Sequence, residues 1–225
     1  IKHRKRIDNL LSPIDYCTWT RISLDGGIVT KQPWVVMKFG GTSVASPERW
    51  VTIRDQSLAR LSAGERPVVV CSALSGVSDA IEAIIAGCTS GHPEEALSAL
   101  EHKHADLASA LGVDLDHELG EEFNAIKNQV HGASLIGEVT PRLHARLMAM
   151  GERMSTRLGA AYLRRSGVDV TWVDARDHLE AITNPHVPQA RAMLSAECRF
   201  DPCPTLQNAF SKMGVQNGSA MGYVP

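Results

Sequence analysis

The chain has 225 residues, enough for one sizeable domain or one and a half at about 150 residues per domain, and a length that buries about 70–75% of the unfolded surface without covalent staples. Apolar residues make up 44%, charged residues 21%, and the net charge is −2. That balance describes an ordinary globular protein and gives no overall electrostatic case for nucleic acid or a membrane surface as partner.

Residues 1–33 stand apart, with the basic cluster Lys2-His3-Arg4-Lys5-Arg6 and no sustained period; without interleaved aromatics it reads as a solvated extension. No apolar signal core follows it, and no run approaches the roughly 20 apolar residues of a membrane helix, so the cytoplasm is the expected location. From Trp34 the pattern becomes regular. Val35-Val36-Met37-Lys38-Phe39 reads as a buried strand that breaks at Gly40-Gly41-Thr42-Ser43. Ser46-Pro47-Glu48 then starts a helix: a capping hydroxyl, a proline tolerated in the first turn, and an acid facing the positive end of the dipole. Strand, glycine turn and helix together suit an anion, since the glycines let a ligand approach the backbone and Lys38 adds a compact positive charge. The lysine precedes the glycines, so the pattern is neither G-x-x-x-x-G-K-[ST] nor G-x-G-x-x-G, and an ordinary tight turn stays open.

The helix face Trp50, Ile53, Leu58, Leu61 stops at Gly64, and Pro67-Val68-Val69-Val70-Cys71 follows as a buried strand, completing a βαβ unit with parallel strands. The second strand runs into Ser72-Ala73-Leu74-Ser75-Gly76-Val77-Ser78-Asp79 and a helix with Val77, Ile81, Ile84, Ile85 and Cys88 on one face. Ligands of open parallel sheets sit at the C-terminal strand ends, where both polar turns would lie; for Ser72, Ser75 and Ser78, plain capping and turn chemistry is the competing reading. Residues 92–131 read as two amphipathic helices, and Thr140-Pro141 opens a longer one that stops near Gly167. Within it, Gly151 costs about 1 kcal/mol against alanine, which suggests a close approach to the backbone. Glu152 beside it is the chemically interesting acid; pairing with a neighbouring arginine is the alternative. Val168 to Asp174 reads as a strand, Ala192 to Cys198 as a further short strand, and Pro204 opens a short helix. Residues 213–225 show no period. The five cysteines, at 17, 71, 88, 198 and 203, contain no C-x-x-C pair, so reduced thiols are expected; the nine histidines contain no H-E-x-x-H, and no metal site is expected.

Three segments in order, Lys38-Phe39-Gly40-Gly41-Thr42-Ser43, Val69-Val70-Cys71-Ser72-Ala73-Leu74-Ser75-Gly76-Val77-Ser78 and Gly151-Glu152-Arg153-Met154-Ser155-Thr156, resemble the motifs of aspartate kinases of the amino acid kinase family. The stretch from Asp174-Ala175-Arg176-Asp177 through Leu194-Ser195-Ala196-Glu197-Cys198 is most similar to the kinase part of bifunctional aspartate kinase/diaminopimelate decarboxylase enzymes. The resemblance covers about residues 34–212 and implies a three-layer α/β sandwich with a mainly parallel sheet. It also implies transfer of the γ-phosphoryl of ATP, carried with Mg2+, to the side-chain carboxylate of L-aspartate, in lysine, threonine and methionine biosynthesis. Lys38 would stabilise the transferring phosphoryl, Gly40, Gly41, Thr42 and Ser43 would hold the phosphates, and Ser72, Ser78 and Glu152 would contact aspartate.

There are departures. Ser78-Asp79 stands where the family usually has Thr-Asn, Met150 occupies a position that is often polar, and the family's Gly-Arg-Gly-Gly-Ser-Asp segment does not occur. The expectation is therefore a partial kinase domain over residues 34–212, flanked by the extension 1–33 and an irregular tail 213–225. A second copy of the chain or a separate C-terminal half stays open as partner, and a non-catalytic remnant that binds a ligand or another chain is the alternative.

Overall fold

In the computed structural model, residues 33–179, 181–182, 186, 188–194, 202–213 and 219–223 are described. Strand β1 (Trp34–Phe39) leads through helix α1 (Pro47–Ser62) to β2 (Arg66–Cys71), and the strands pair in parallel with Lys38 opposite Val70 and Phe39 opposite Cys71. This is the expected βαβ unit. Four helices follow without an intervening strand: α2 (Val77–Ser90), α3 (Glu94–Leu111), α4 (Leu115–Ile136) and α5 (Pro141–Arg165). Then come β3 (Val170–Asp174), α6 (Gln189–Leu194), α7 (Pro204–Met213) and β4 (Ser219–Tyr223). The sheet order is β1-β2-β4-β3 and every neighbouring pair is parallel.

Period explains the helices. Leu100, His104, Leu107 and Leu111 on α3, and Leu119, Phe123, Ile126 and Val130 on α4, recur at three- and four-residue spacing, and all are buried. His104 is core: its Nδ1 meets the Leu100 carbonyl at 2.8 Å, its ring stands edge-on to Phe123, and burial holds its pKa below the ordinary histidine value. Cys71 and Cys88 are buried free thiols.

Helix α5 is the spine, touching β2, β3, β4 and α1 to α4. Trp50 of α1 is fully buried against it, and a Cβ on Gly159 would lie 1.9 Å from Trp50 Cη2. The Trp50 indole N–H donates to the Val44 carbonyl at 2.9 Å, which fastens the first βα turn to that packing. Met37 and Phe39 pack against the same core. On the opposite face of β1, set by strand alternation, Trp34 meets Phe210 of α7 with ring centroids 5.0 Å apart. The result is the expected α/β sandwich with a parallel sheet.

The structure departs from the sequence reading in three places. Ser46 occupies the N-cap of α1, but its hydroxyl donates to the Glu48 carboxylate at 2.7 Å rather than capping a backbone N–H. Residues 192–194, expected in a strand, end helix α6, while 195–198 lie outside the described residues. Ser219–Tyr223, inside the stretch expected to be an irregular tail, is the strand between β2 and β3. Its sequence has no β-branched residue and no alternation, so the ladders on either side, not local preference, make it a strand. Residues 1–32, with the basic cluster, and Cys17 and Cys198 lie outside the described residues.

Candidate functional site

The first polar turn is built by two glycines with different tasks. Past Phe39 the backbone stays extended at Gly40 (φ −74°, ψ 172°) and closes into a single 3-10 turn over Gly41–Ser43. The Ser43 and Val44 N–H groups donate to the carbonyls of Gly40 (2.9 Å) and Gly41 (3.4 Å). A turn of this kind consumes N–H groups only from its third residue onward, so those of Gly41 and Thr42 are not used by it. A Cβ on Gly41 would sit 2.7 Å from the Ala73 carbonyl oxygen and 3.3 Å from the Ser75 nitrogen, whereas one on Gly40 would meet nothing within 4 Å. Gly41 thus permits close packing of two turns, and Gly40 borders open space. Lys38, one residue before the end of β1, is exposed and makes no hydrogen bond or ion pair with the described residues.

Backbone hydrogen bonds join the second turn to the first. Ser72 N–H donates to the Phe39 carbonyl at 3.0 Å, extending the β1–β2 ladder, and Ser75 N–H donates to the Gly41 carbonyl at 3.2 Å. Gly76, at φ +76°, is the N-cap of α2, and no side chain caps that helix. The hydroxyls of Ser72, Ser75 and Ser78 therefore do not serve as its caps. Ser78 lies exposed in the first turn of α2, next to Asp79.

Helix α5 brings the third segment against the second. The close approach suggested by the mid-helix glycine is present: a Cβ on Gly151 would lie 3.0 Å from both Ala73 Cβ and Val77 Cγ1. Ser155 Oγ donates to the Ser72 carbonyl at 2.7 Å. The half-buried Glu152 carboxylate accepts the Ala73 N–H; burial raises its pKa above the ordinary value, and hydrogen bonds from its own amide and from Ala73 oppose that rise. Among the described residues it pairs with no arginine. Instead Arg153, the next residue, turns away to Glu122 and Asp174.

Three segments spread over more than a hundred residues of sequence therefore meet where β1 and β2 end. The sequence profile of the amino acid kinase family matches residues 33–200. The chain belongs to the amino acid kinase family. Among curated members, it is 35% identical over 145 residues to aspartokinase 3, chloroplastic, of Arabidopsis thaliana, which covers 62% of this chain and 25% of the relative. It is 32% identical over 198 residues to aspartokinase 1, chloroplastic, of the same plant, covering 82% and 34%. Among solved structures, E. coli aspartokinase III in complex with aspartate and ADP superposes with a TM-score of 0.64 at 25% identity, over 84% of this chain and 40% of that one. The chain thus spans between a quarter and two fifths of the length of these amino acid kinase family members.

Of the residues singled out from sequence, Gly41, Ser72 and Glu152 are drawn together through the second turn. Lys38, Thr42 and Ser78 are exposed around it, and no contact joins Lys38 to Glu152 directly. Sequence reasoning missed Ser155, although it lies in the third motif, because its partner is a backbone carbonyl. It also missed the charge cluster behind the site. Glu122, 3% exposed, takes Arg157 at 2.8 Å and Arg153 at 3.4 Å. Asp174, 7% exposed, takes Arg176 at 2.6 Å and Arg153 at 3.4 Å. Burial alone would raise the Asp174 pKa, but hydrogen bonds and charge from Arg176, then Arg153, hold it below the ordinary value. Both Arg153 and Arg157 also lie over the Trp172 ring, whose N–H donates to Thr156 Oγ1 at 3.0 Å. Among the described residues, no group of three or more His, Cys, Asp or Glu side chains is arranged to hold a metal, and no helix is long and apolar enough to cross a membrane.

Proposed function

We propose that this chain carries the aspartate- and phosphate-binding end of an aspartate kinase, transferring the γ-phosphoryl of ATP to the side-chain carboxylate of L-aspartate to give 4-phospho-L-aspartate. The observation that carries this reading is the convergence of the three motif segments on one sheet edge, with an exposed lysine on one side and a half-buried glutamate on the other, neither forming an ion pair among the described residues. The relatives are named aspartokinases, and the E. coli structure holds aspartate and ADP.

The residues fit an anionic phosphate group: the Gly41 and Thr42 N–H groups are unused by their turn, and the space beside Gly40 is open. Phosphoryl transfer needs positioning and charge stabilisation rather than covalent help, because the charge lies on the equatorial oxygens of a loose transition state. Lys38 supplies the point charge for those oxygens, while the Gly40-Gly41 backbone and the Thr42 and Ser43 hydroxyls hold the phosphates. Ser72 and Ser78 orient aspartate, and ionised Glu152 takes its ammonium group. Mg2+ would neutralise phosphate charge and, given no acidic cage among the described residues, would be held mainly by the nucleotide and water. The product would feed lysine, threonine and methionine biosynthesis in the cytoplasm, and a homo-oligomer is the proposed assembly.

The test is trapping of aspartyl phosphate as the hydroxamate after incubating the purified chain with MgATP and L-aspartate. Lys38→Ala should lower turnover by about 10²–10³, the usual effect of removing one transition-state donor. Turnover unaffected by that change would remove Lys38 from its role. Binding of MgATP and aspartate without any hydroxamate would instead favour a ligand-binding remnant.

A further inference from the structure

The second turn is gripped from a side that the motifs do not include. Lys103 belongs to α3, a helix outside the three motifs. Its ammonium reaches across 28 positions of sequence to the Ser75 carbonyl, at 2.5 Å. It also lies directly over Gly76, where a Cβ would come within 2.9 Å of Nζ. The Ser75 N–H is meanwhile fixed on the Gly41 carbonyl at 3.2 Å. One residue is thus held at both of its backbone polar groups, by the first turn through its N–H and by α3 through its C=O. It stands between Ser72 and Ser78, the two hydroxyls assigned to aspartate.

The inner side of that turn is fixed by Val77, fully buried beside Gly151, whose N–H donates to the Leu74 carbonyl at 2.9 Å. On the outer side Gly76 has no side chain and α2 lacks a side-chain cap, so the Ser75 carbonyl is where Lys103 adds a further hold. Lysine suits the task because a charged donor bonds a carbonyl more strongly than a neutral one, and its long stem spans the gap from a neighbouring helix. The two glycines also matter: a side chain at residue 76 would collide with the ammonium, and one at residue 41 would push the two turns apart.

We infer that Lys103 is a positioning residue, an α3 clamp that holds the Ser72–Ser78 turn in the shape that binds the amino acid substrate. It touches no reacting atom and acts through the Ser75 carbonyl. The substrate part of this inference rests on the aspartate kinase reading; the clamp itself does not.

The experiment has two arms on the full 225-residue chain. In the first, hydrogen exchange of the ligand-free protein is compared with that of Lys103→Ala. The Ser75 and Val77 amides, which donate to the Gly41 and Leu74 carbonyls, should exchange about tenfold faster in the variant, the loss expected for one charge-assisted hydrogen bond at a partly exposed position, while those of β2 stay unchanged. Equal exchange at Ser75 and Val77 overturns the clamp, and faster exchange throughout β2 as well would mark a general loss of stability and overturn it too. In the second arm, L-aspartate is titrated calorimetrically in the presence of a non-hydrolysable ATP analogue with Mg2+. Lys103→Ala should weaken aspartate about tenfold, with the analogue's own affinity unchanged, and Lys103→Arg should restore aspartate to within about threefold, because its guanidinium still donates to the carbonyl. Aspartate affinity unaffected by Lys103→Ala, despite faster exchange, overturns the positioning role. If the unmodified chain binds no aspartate while the exchange difference is seen, the clamp stands and the aspartate kinase reading fails.

Discussion

Two polar regions flank α5 and are held together in opposite ways. At the ends of β1 and β2, backbone hydrogen bonds and glycine contacts do the joining, and Lys38, Thr42 and Ser78 remain exposed without partners among the described residues. Behind α5, long side chains do the joining: Glu122, Arg153, Arg157, Asp174 and Arg176 neutralise one another around Trp172. Charge matched inside the protein holds structure. Charge left unmatched beside open backbone is available to a ligand. Adjacent residues of one helix turn divide along this line, Glu152 facing the first region and Arg153 the second.

The largest expected effect breaks the second region. Glu122→Ala leaves Arg153 and Arg157 facing each other without their buried carboxylate and should cost about 3 kcal/mol, read as a lower urea midpoint. A midpoint within error of the parent would mean that the cluster is decoration. In the first region, Gly41→Ala should cost about 1–3 kcal/mol, because its methyl must displace backbone of the second turn. Gly40→Ala, facing open space, should leave thermal stability nearly unchanged. If the two alanines behave alike, the division of labour between the glycines is wrong. Ser155→Ala removes one hydroxyl bond to the Ser72 carbonyl and should cost about 1 kcal/mol, with aspartate binding the more sensitive readout.

The smallest effect distinguishes the regions by sign. The Glu152 pKa is raised, so its contribution to stability is fully present below the ordinary glutamate range and is lost as pH rises through the raised value. The Asp174 pKa is depressed, so its contribution is present above the ordinary aspartate range and is lost as pH falls through the depressed value. Stability profiles from acidic to neutral pH should therefore lose one arm in Glu152→Gln and the other in Asp174→Asn. A bound ammonium group prefers ionised Glu152, so aspartate affinity should fall on acidification at a higher pH than an exposed glutamate would impose.

Much of this was legible in sequence, for identifiable reasons. Apolar runs closed by glycine or proline gave β1 and β2, and three- and four-residue spacing gave α3, α4 and α5, because burial of one face dictates both patterns. The two turns were legible as turns because glycines and hydroxyls end an apolar strand, while their use for a ligand was not separable from ordinary turn and capping chemistry by those residues alone. Gly151 was legible because a glycine inside a helix needs a reason, although Gly159, which makes room for Trp50, passed unremarked under the same rule. The charge cluster was not legible: Glu122 and Arg157 are 35 positions apart, and only the packing of α4 on α5 makes them neighbours. Lys103 likewise looks like any solvent-facing lysine until α3 is laid beside the turn. Ser219–Tyr223 carries no strand signal of its own, since its pairing is imposed from both sides.

That strand order has a consequence for synthesis. With β4 lying between β2 and β3, the ribosome delivers both flanking strands well before the one that belongs between them. The nascent chain can complete the β1–β2 pair and its helices early, yet each flank of the future central slot keeps an open row of N–H and C=O groups. Parallel pairing over such a long separation is slow, and open edges invite the wrong partner. Residues 219–223 thus fill the slot between β2 and β3, and in the interval before they arrive a newly made copy is exposed to pairing with its neighbours at both flanks of that slot.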